Sequence, residues 1–229
     1  MKLTVIIPCY NEEKTINELI NKVINNNYEN KEIIIIDDCS TDKSKEIIGN
    51  FENKENFKII YHEKNMGKGS CIKSAIKEAS GEICIIQDAD LEYDPKEHIK
   101  VINPILENQA DVVYGSRFRG SEVSRSVYFW NRLGNFVLTT LCNIFINANL
   151  TDMETCFKAI KTDKLKKIEI KEKRFGFEPE ITIKLSKLGC KFYEVGISYY
   201  GREYGEGKKI TWIDGVVAII CIFRYTFFK

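Results

Sequence analysis

Ile33-Ile34-Ile35-Ile36-Asp37-Asp38 is an unbroken apolar run stopped by a pair of carboxylates. Consecutive β-branched residues without polar alternation suit a strand buried on both faces, as in the interior of a parallel sheet. The pattern recurs on either side. Residues 3–7 form an apolar strand ended by Pro8-Cys9-Tyr10-Asn11-Glu12, and Ile83-Cys84-Ile85-Ile86 leads into Asp88-Ala89-Asp90-Leu91-Glu92. Helical segments fall between them. Residues 12–25 carry Ile16, Leu19, Ile20 and Val23 at a helical period. Ser40-Thr41-Asp42 offers N-cap chemistry for a helix through Ile48, and Asp94-Pro95 opens another to about Leu106. A strand over 57–61, a helix over 68–79 and a strand over 112–114 complete the first half. The alternation predicts an α/β fold, a mostly parallel sheet with helices on both faces, whose strand order the pattern does not reveal. Ligands of such sheets bind at the carboxyl ends of strands. The three polar clusters at Pro8–Glu12, Asp37-Asp38 and Asp88–Glu92 are therefore expected at one site.

Beyond Arg119 the pattern changes. A helix of mixed face spans 128–146, residues 152–160 follow, and a helix near 179–188 precedes a strand over 191–196. A polar, glycine-rich stretch at 200–209 then meets a hydrophobic tail. The expected division is a catalytic domain over 1–209 and a C-terminal hydrophobic or amphipathic helix over 210–229. Apolar residues crowd the tail and Arg224 and Lys229 end it, which fits a helix on a membrane surface, on its own domain or on a membrane-spanning partner. No apolar run approaches the roughly 20 residues that span a bilayer. The β-branched N-terminus, stopped by Pro8, reads as a first strand and not a signal peptide. With 34 Lys+Arg against 33 Asp+Glu among 229 residues, the chain lacks the basic excess of a nucleic-acid binder. Its eight cysteines are dispersed without a CxxC, which suits free thiols in a reducing cytoplasm.

Two carboxylates separated by one small residue, as in Asp88-Ala89-Asp90, can aim at one divalent ion, and Mg2+ or Mn2+ shared with substrate phosphates is the expected chemistry. A metal is useful because a nucleoside diphosphate leaves poorly until its developing charge is neutralised. Asp37-Asp38 ends its strand where acids of dinucleotide folds accept hydrogen bonds from a base or ribose. Asn65-Met66-Gly67-Lys68-Gly69-Ser70 matches neither phosphate-loop pattern and reads as a tight strand-to-helix connection, with phosphate binding by Lys68 the lesser reading. His62 and His98 are too isolated for a histidine metal site and read as structural. Arg117, Arg132, Arg202 and Lys208 are candidate phosphate ligands, because guanidinium groups grip phosphate bidentately.

These segments resemble glycosyltransferase family 2 with a GT-A, Rossmann-like fold, and within it the dolichol-phosphate mannose and glucose synthases. The matching runs are Val5-Ile6-Ile7-Pro8-Cys9-Tyr10-Asn11-Glu12, Ile36-Asp37-Asp38-Cys39-Ser40-Thr41-Asp42, Asp88-Ala89-Asp90-Leu91, Gly115-Ser116-Arg117-Phe118 and Arg202-Glu203-Tyr204-Gly205-Glu206-Gly207-Lys208. The resemblance implies that Pro8, Tyr10, Glu12, Ile36 and Asp38 surround the nucleoside. Asp88 and Ala89 would line the diphosphate, Asp90 and Glu92 would reach the metal, Arg117, Arg202 and Lys208 would contact phosphates, and Arg132 would meet the acceptor phosphate. Two departures stand out. Glu92 replaces a common glutamine, and Asp152-Met153-Glu154-Thr155-Cys156-Phe157-Lys158 replaces the usual D-x-x-S-G-F-R.

The implied reaction is transfer of a sugar from a nucleoside diphosphate, of GDP-mannose or UDP-glucose type, to polyprenyl phosphate with inversion, peripheral to the cytoplasmic face of a membrane. A lipid phosphate is substantially dianionic at neutral pH and needs no general base. A hydroxyl acceptor would need one, and Asp152 or Glu154 would then be the candidate. A non-catalytic nucleotide-sugar binder is the reading from another class, and an intact acidic motif argues against it. A nucleotidyltransferase would place a glycine-rich basic loop after the first strand, where Pro8–Glu12 stands instead.

Overall fold

The computed structural model describes residues 1–120, 123–126, 128–202 and 212–228, with the side chain of Trp212 excepted. Strand β1 (Leu3–Cys9) lies between β2 (Lys31–Asp37) and β4 (Ile83–Ile86), parallel to both, and β3 (Phe57–Tyr61) adds to β2 in parallel. Val5 sits level with Ile33 and Ile85, and Ile6 with Ile34 and Ile86. All six are buried, so the uniform apolar runs are explained by burial of both sheet faces. Helix α1 (Ile16–Ile24) turns Ile16, Leu19, Ile20 and Val23 into the core, as its period predicts. Each such side chain contributes about 1.5–3 kcal/mol through burial.

In helix α2 (Ser44–Gly49) Lys43 holds the cap position and its side chain makes no cap bond, and Asp42 accepts from the amide of the first helical residue, Ser44. Ser40, Thr41 and Asp42 also meet the loop after β1. The Asn11 amide donates to Ser40 Oγ (3.0 Å), the Thr41 amide to Asn11 Oδ1 (2.8 Å), and the Glu13 amide to Asp42 Oδ2 (3.1 Å). Adjacent parallel strands bring these loops side by side, and Asp42 serves both, its Oδ1 accepting from the Ser44 amide at 2.9 Å. Helix α3 (Lys68–Glu78) follows β3. Asp94 accepts from the Lys96 amide at 3.0 Å and opens a 3-10 turn, Pro95–Glu97, that runs into α4 (His98–Leu106).

The second half breaks the parallel pattern. Strand β5 (Val112–Ser116) is separated from β4 by β6 (Lys158–Lys161), which runs antiparallel to both, and β7 (Phe192–Gly196) is parallel to β5. The sheet order is β3-β2-β1-β4-β6-β5-β7. Helix α5 (Phe129–Ile146) bridges β5 to β6, the short α6 (Thr162–Leu165) follows β6, and α7 (Phe177–Lys187) precedes β7. Helix α8 (Trp212–Phe227) buries Ala218, Cys221, Ile222 and Tyr225, and the last three join Cys142 of α5 and Ile183 of α7 in a second apolar cluster. It therefore packs on its own domain. No described helix is long and apolar enough to cross a membrane.

At the end of the sheet opposite the acidic loops, Glu32 is buried and accepts from Ser80 Oγ (2.5 Å), Thr4 Oγ1 (2.6 Å), the Ser80 amide (2.6 Å) and Lys2 Nζ (3.0 Å). Burial alone would raise its carboxyl, but bonds from Ser80, Thr4 and Lys2 hold it down to about 2. A depressed folded-state value means stability that is present above the unfolded value and lost as pH falls toward 2. Glu32→Gln is expected to cost about 2 kcal/mol at pH 7, the scale of hydrogen bonds to a charged group. Urea unfolding checks this, and the gap between the two proteins should narrow steadily from pH 4.5 downward.

Candidate active site

Backbone geometry marks the carboxyl ends of β1, β2 and β4. Asn11 (φ 52°), Cys39 (φ 61°) and Leu91 (φ 63°) follow these strands in the left-handed region. Non-glycine residues there cost of order 1–3 kcal/mol and persist where the surroundings over-determine them, commonly at functional sites. The turns after β1 and β4 bring Glu12 and the Asp88–Glu92 loop to one guanidinium.

One guanidinium gathers the acids. Arg202 Nη2 lies 2.8 Å from Asp90 Oδ2, Nη1 lies 3.1 Å from Glu12 Oε2, and Nε lies 3.4 Å from Glu92 Oε1. The Arg202 amide also donates to Glu92 Oε1 (2.9 Å), and Tyr199 Oη donates to Glu92 Oε2 (2.8 Å). Burial together with the neighbouring Asp88 and Glu92 pushes the Asp90 carboxyl up to about 7, against the pull of Arg202. Acids crowded until one resists ionisation form a site short of positive charge, and hard oxygen donors from separate segments suit Mg2+ or Mn2+. One or two carboxylates completed by substrate phosphates suffice for such an ion, and Asp90 and Glu92 both face the Arg202 cation.

Asp88 is engaged elsewhere. Lys68 Nζ lies 3.0 Å from Asp88 Oδ1 and 3.3 Å from Glu178 Oε1. Burial opposes charge on Asp88, but Lys68 and a hydrogen bond from Cys156 bring its carboxyl below the usual range. Asp88 therefore enters the site already neutralised by a buried lysine.

Asp38 is bound within the fold. It accepts from the Met66 amide (2.9 and 3.1 Å) and the Gly67 amide (2.7 Å), and its Oδ1 lies 2.7 Å from His62 Nδ1. His62 Nε2 in turn meets Ser74 Oγ at 3.0 Å, so this histidine braces Asp38. Gly67 has φ 88°, and a side chain there would strike the Lys173 carbonyl. That carbonyl takes the Gly69 amide at 2.8 Å. The amides of this loop are thus used by Asp38 and Lys173, which explains why 65–70 is a connection and no phosphate loop. His98 is buried between Asn26 Nδ2 (2.9 Å) and Gln87 Oε1 (2.8 Å), and burial lowers it to about 3. It remains neutral, and Gln87 Nε2 holds the Asp88 carbonyl (3.1 Å) and the Tyr93 carbonyl (3.3 Å).

Across the site, Arg117 follows β5 and clasps Asp152. Nε lies 2.7 Å from Oδ2, Nη2 lies 2.7 Å from Oδ1, and the Arg117 amide adds a 3.0 Å bond. Asp152 is fully buried. The guanidinium also lies over the rings of Tyr199 (5.3 Å) and Phe118 (5.5 Å), and Arg132 of α5 lies over the same Phe118 (5.5 Å). Burial and the nearby Glu178 push the Glu154 carboxyl up to about 8, although Lys158 and Arg117 oppose this.

Residues 4–169 match the family model Glycosyl transferase family 2. The chain belongs to this family. A UDP-N-acetylglucosamine–dolichyl-phosphate N-acetylglucosaminyltransferase of Methanococcus voltae is 31% identical over 221 residues, covering 89% of this chain and 87% of that protein. A dolichol-phosphate mannosyltransferase of Pyrococcus furiosus is 31% identical over 215 residues, covering 91% of this chain and 59% of that one. Glucosyl-3-phosphoglycerate synthase of Mycobacterium tuberculosis, solved with Mn2+, UDP and phosphoglyceric acid, superposes with a TM-score of 0.75 over 100% of this chain and 79% of that chain at 16% identity. That likeness shows the GT-A fold.

Within this family 2 glycosyltransferase the expected site residues are distributed as follows. Pro8 and Ile36 are register partners on β1 and β2, Tyr10 and Glu12 follow β1, and Ala89 is buried beside Asp88 and Asp90. Lys208 lies outside the described residues. The sequence gives little sign of two further residues at the site, Lys68 and Glu178. The only local signal for Lys68 was a cation at the first turn of a helix starting from the ligand end, and the partnership with Glu178 joins segments more than a hundred residues apart.

Proposed function

We propose that this chain transfers a sugar from a nucleoside-diphosphate sugar, of GDP-mannose or UDP-glucose type, to polyprenyl phosphate, with inversion and with Mg2+ or Mn2+, at the cytoplasmic face of a membrane. The observation that carries the acceptor is the state of Asp152. Asp152 is held in a bidentate pair by Arg117. A phosphate oxygen needs no proton removed before it attacks, so a site in which this carboxylate is already engaged suits it. The activities named for the Methanococcus voltae and Pyrococcus furiosus relatives favour the same acceptor class.

In the proposed step an acceptor phosphate oxygen attacks the anomeric carbon as the bond to the diphosphate breaks on the opposite side. Asp90 with Glu92 would hold the divalent ion, which supplies charge neutralisation for the departing diphosphate. Arg117 and Arg132, together with Arg202 and Lys208, would offset the repulsion between the two phosphate groups. Asp88, with Lys68 behind it, would line the diphosphate, and the β1 and β2 ends would hold the nucleoside.

The outer surface supports a membrane location. Helix α5 is inverted: Asn135 and Thr139 face inward, while Phe129, Trp130, Phe136 and Val137 are exposed. Helix α8 exposes Ile213, Val216, Ile220, Phe223 and Phe227, and Phe145 of α5 stacks edge-on against Phe223 and Phe227. The two helices thus share an apolar face with Arg132 on α5 and Arg224 on α8, a composition that suits the headgroup boundary.

The test is transfer of radiolabelled sugar. UDP- and GDP-sugars are first screened with Mn2+ by thermal shift, and the stabilising donor is then incubated with polyprenyl phosphate. Label in an acid-labile lipid product is expected. Label entering only hydroxyl acceptors, or binding without turnover in lipid extract, would overturn the proposal.

A further inference from the structure

Asp38 stands just past β2, His62 just past β3, and Cys71 on the first turn of α3. Far apart in the chain, they meet in the fold: a carboxylate oxygen, a ring nitrogen and Sγ all lie within 4.8 Å of one another. Asp38 and Cys71 are buried, and the His62 side chain is only 8% exposed. Protons join them. His62 Nδ1 donates to Asp38 Oδ1 at 2.7 Å, and the Cys71 thiol donates to the same carboxylate. Their remaining atoms are held from outside. His62 Nε2 meets Ser74 Oγ at 3.0 Å, and the Met66 and Gly67 amides donate to Asp38. Metal-ligating histidines and carboxylates are oriented in this way, through the atoms that do not touch the ion.

We infer that Asp38, His62 and Cys71 form a binding site for a thiophilic divalent ion of the Zn2+ class, separate from the Mg2+ or Mn2+ of sugar transfer. Thiolate and imidazole suit Zn2+, whereas Mg2+ and Mn2+ prefer oxygen alone. Bonds of about 2.0–2.3 Å place tetrahedral ligand atoms roughly 3.3–3.8 Å apart. Side-chain adjustment supplies this: the 2.7 Å pair opens slightly and the thiol closes in. The ion takes the place of the bridging protons. Cys71 releases its proton to solvent, and His62 exchanges its Nδ1 proton for one on Nε2, which then donates to Ser74 Oγ. One carboxylate and one thiolate cancel the two charges of the ion, so the buried site ends neutral. Ser74 also lines the open cleft between β3 and α3, with Lys58, Ile59 and Lys77, which gives the imidazole edge a route to solvent.

The experiment is a titration of the full chain with Co2+, a coloured stand-in for Zn2+, in excess Mg2+. A thiolate-to-cobalt charge-transfer band in the near ultraviolet is expected at one ion per chain, and one equivalent of Zn2+ should abolish it. Cys71→Ala and His62→Gln should lose the band at the Co2+ concentration that saturates wild type. Ser74→Ala, which removes only the partner of Nε2, should weaken binding about tenfold. No thiolate band in wild type overturns the inference. So does a band that survives in Cys71→Ala with wild-type circular dichroism, because the ion then sits on another cysteine. If Cys71→Ala does not fold, Cys71→Ser, which keeps the side-chain size, gives the same reading.

Discussion

Asp90→Ala is expected to lower kcat/KM for sugar transfer by about a thousandfold or more, close to 4 kcal/mol of transition-state stabilisation. The residue is the best placed of the acids: one oxygen meets the Arg202 cation at 2.8 Å and the other accepts from the Glu92 amide at 3.1 Å. Loss of its charge removes a carboxylate from the proposed ion and leaves the departing diphosphate less well neutralised. The fold should tolerate the change. Asp90 is raised to about 7 by burial and by repulsion from Asp88 and Glu92, so its removal relieves a strained charge cluster. An unchanged melting temperature alongside lost transfer is therefore the expected pair of results. Wild-type transfer in the variant, or in the native protein with excess chelator, would refute the assignment.

Arg117→Ala is expected to act on both activity and stability. Its partner Asp152 is fully buried and receives both arms of the fork. A buried carboxylate stripped of its counter-charge costs about 3–5 kcal/mol. For a chain of this size, that corresponds to a fall in melting temperature of roughly 10 °C. Transfer should fall further than stability explains, because the arginine also stands at the carboxyl end of β5 beside Phe118, the ring it shares with Arg132. Asp152→Asn separates the roles. The amide still accepts from Arg117, so appreciable transfer to polyprenyl phosphate should remain, measured as labelled lipid product. Complete loss with intact folding and nucleotide binding would restore Asp152 as a general base and favour a hydroxyl acceptor.

Both expectations draw on residues that differ in how visible they are in the chain. Asp90 was legible as an acid at a strand end, but its pairing with Arg202 was not, since the two lie in distant segments. Arg117 was legible as a cation at a strand end, but its clasp on Asp152 was not, since the two residues lie on either side of α5. Similarly, Asp38 was expected to face a base or ribose, and the folded chain shows its carboxylate anchored to the Met66 and Gly67 amides and to His62. A local reading sees the donor or acceptor a residue carries. It does not see which partner the fold brings first.

Hydrophobic periodicity is a local property, and it determined most of the first half: the strand cores at β1, β2, β3 and β4, the inward face of α1, and the strand-end position of the acidic clusters. Packing and long-range proximity decided the rest. The antiparallel insertion of β6 between β4 and β5, the inverted face of α5, the docking of α8, the Lys68 bridge from Asp88 to Glu178 and the seating of Arg202 among three acids all depend on contacts between distant segments. Charges and hydrogen-bonding groups act over a few ångströms of space whatever their separation along the chain, so their partners become readable only once the backbone has brought them together.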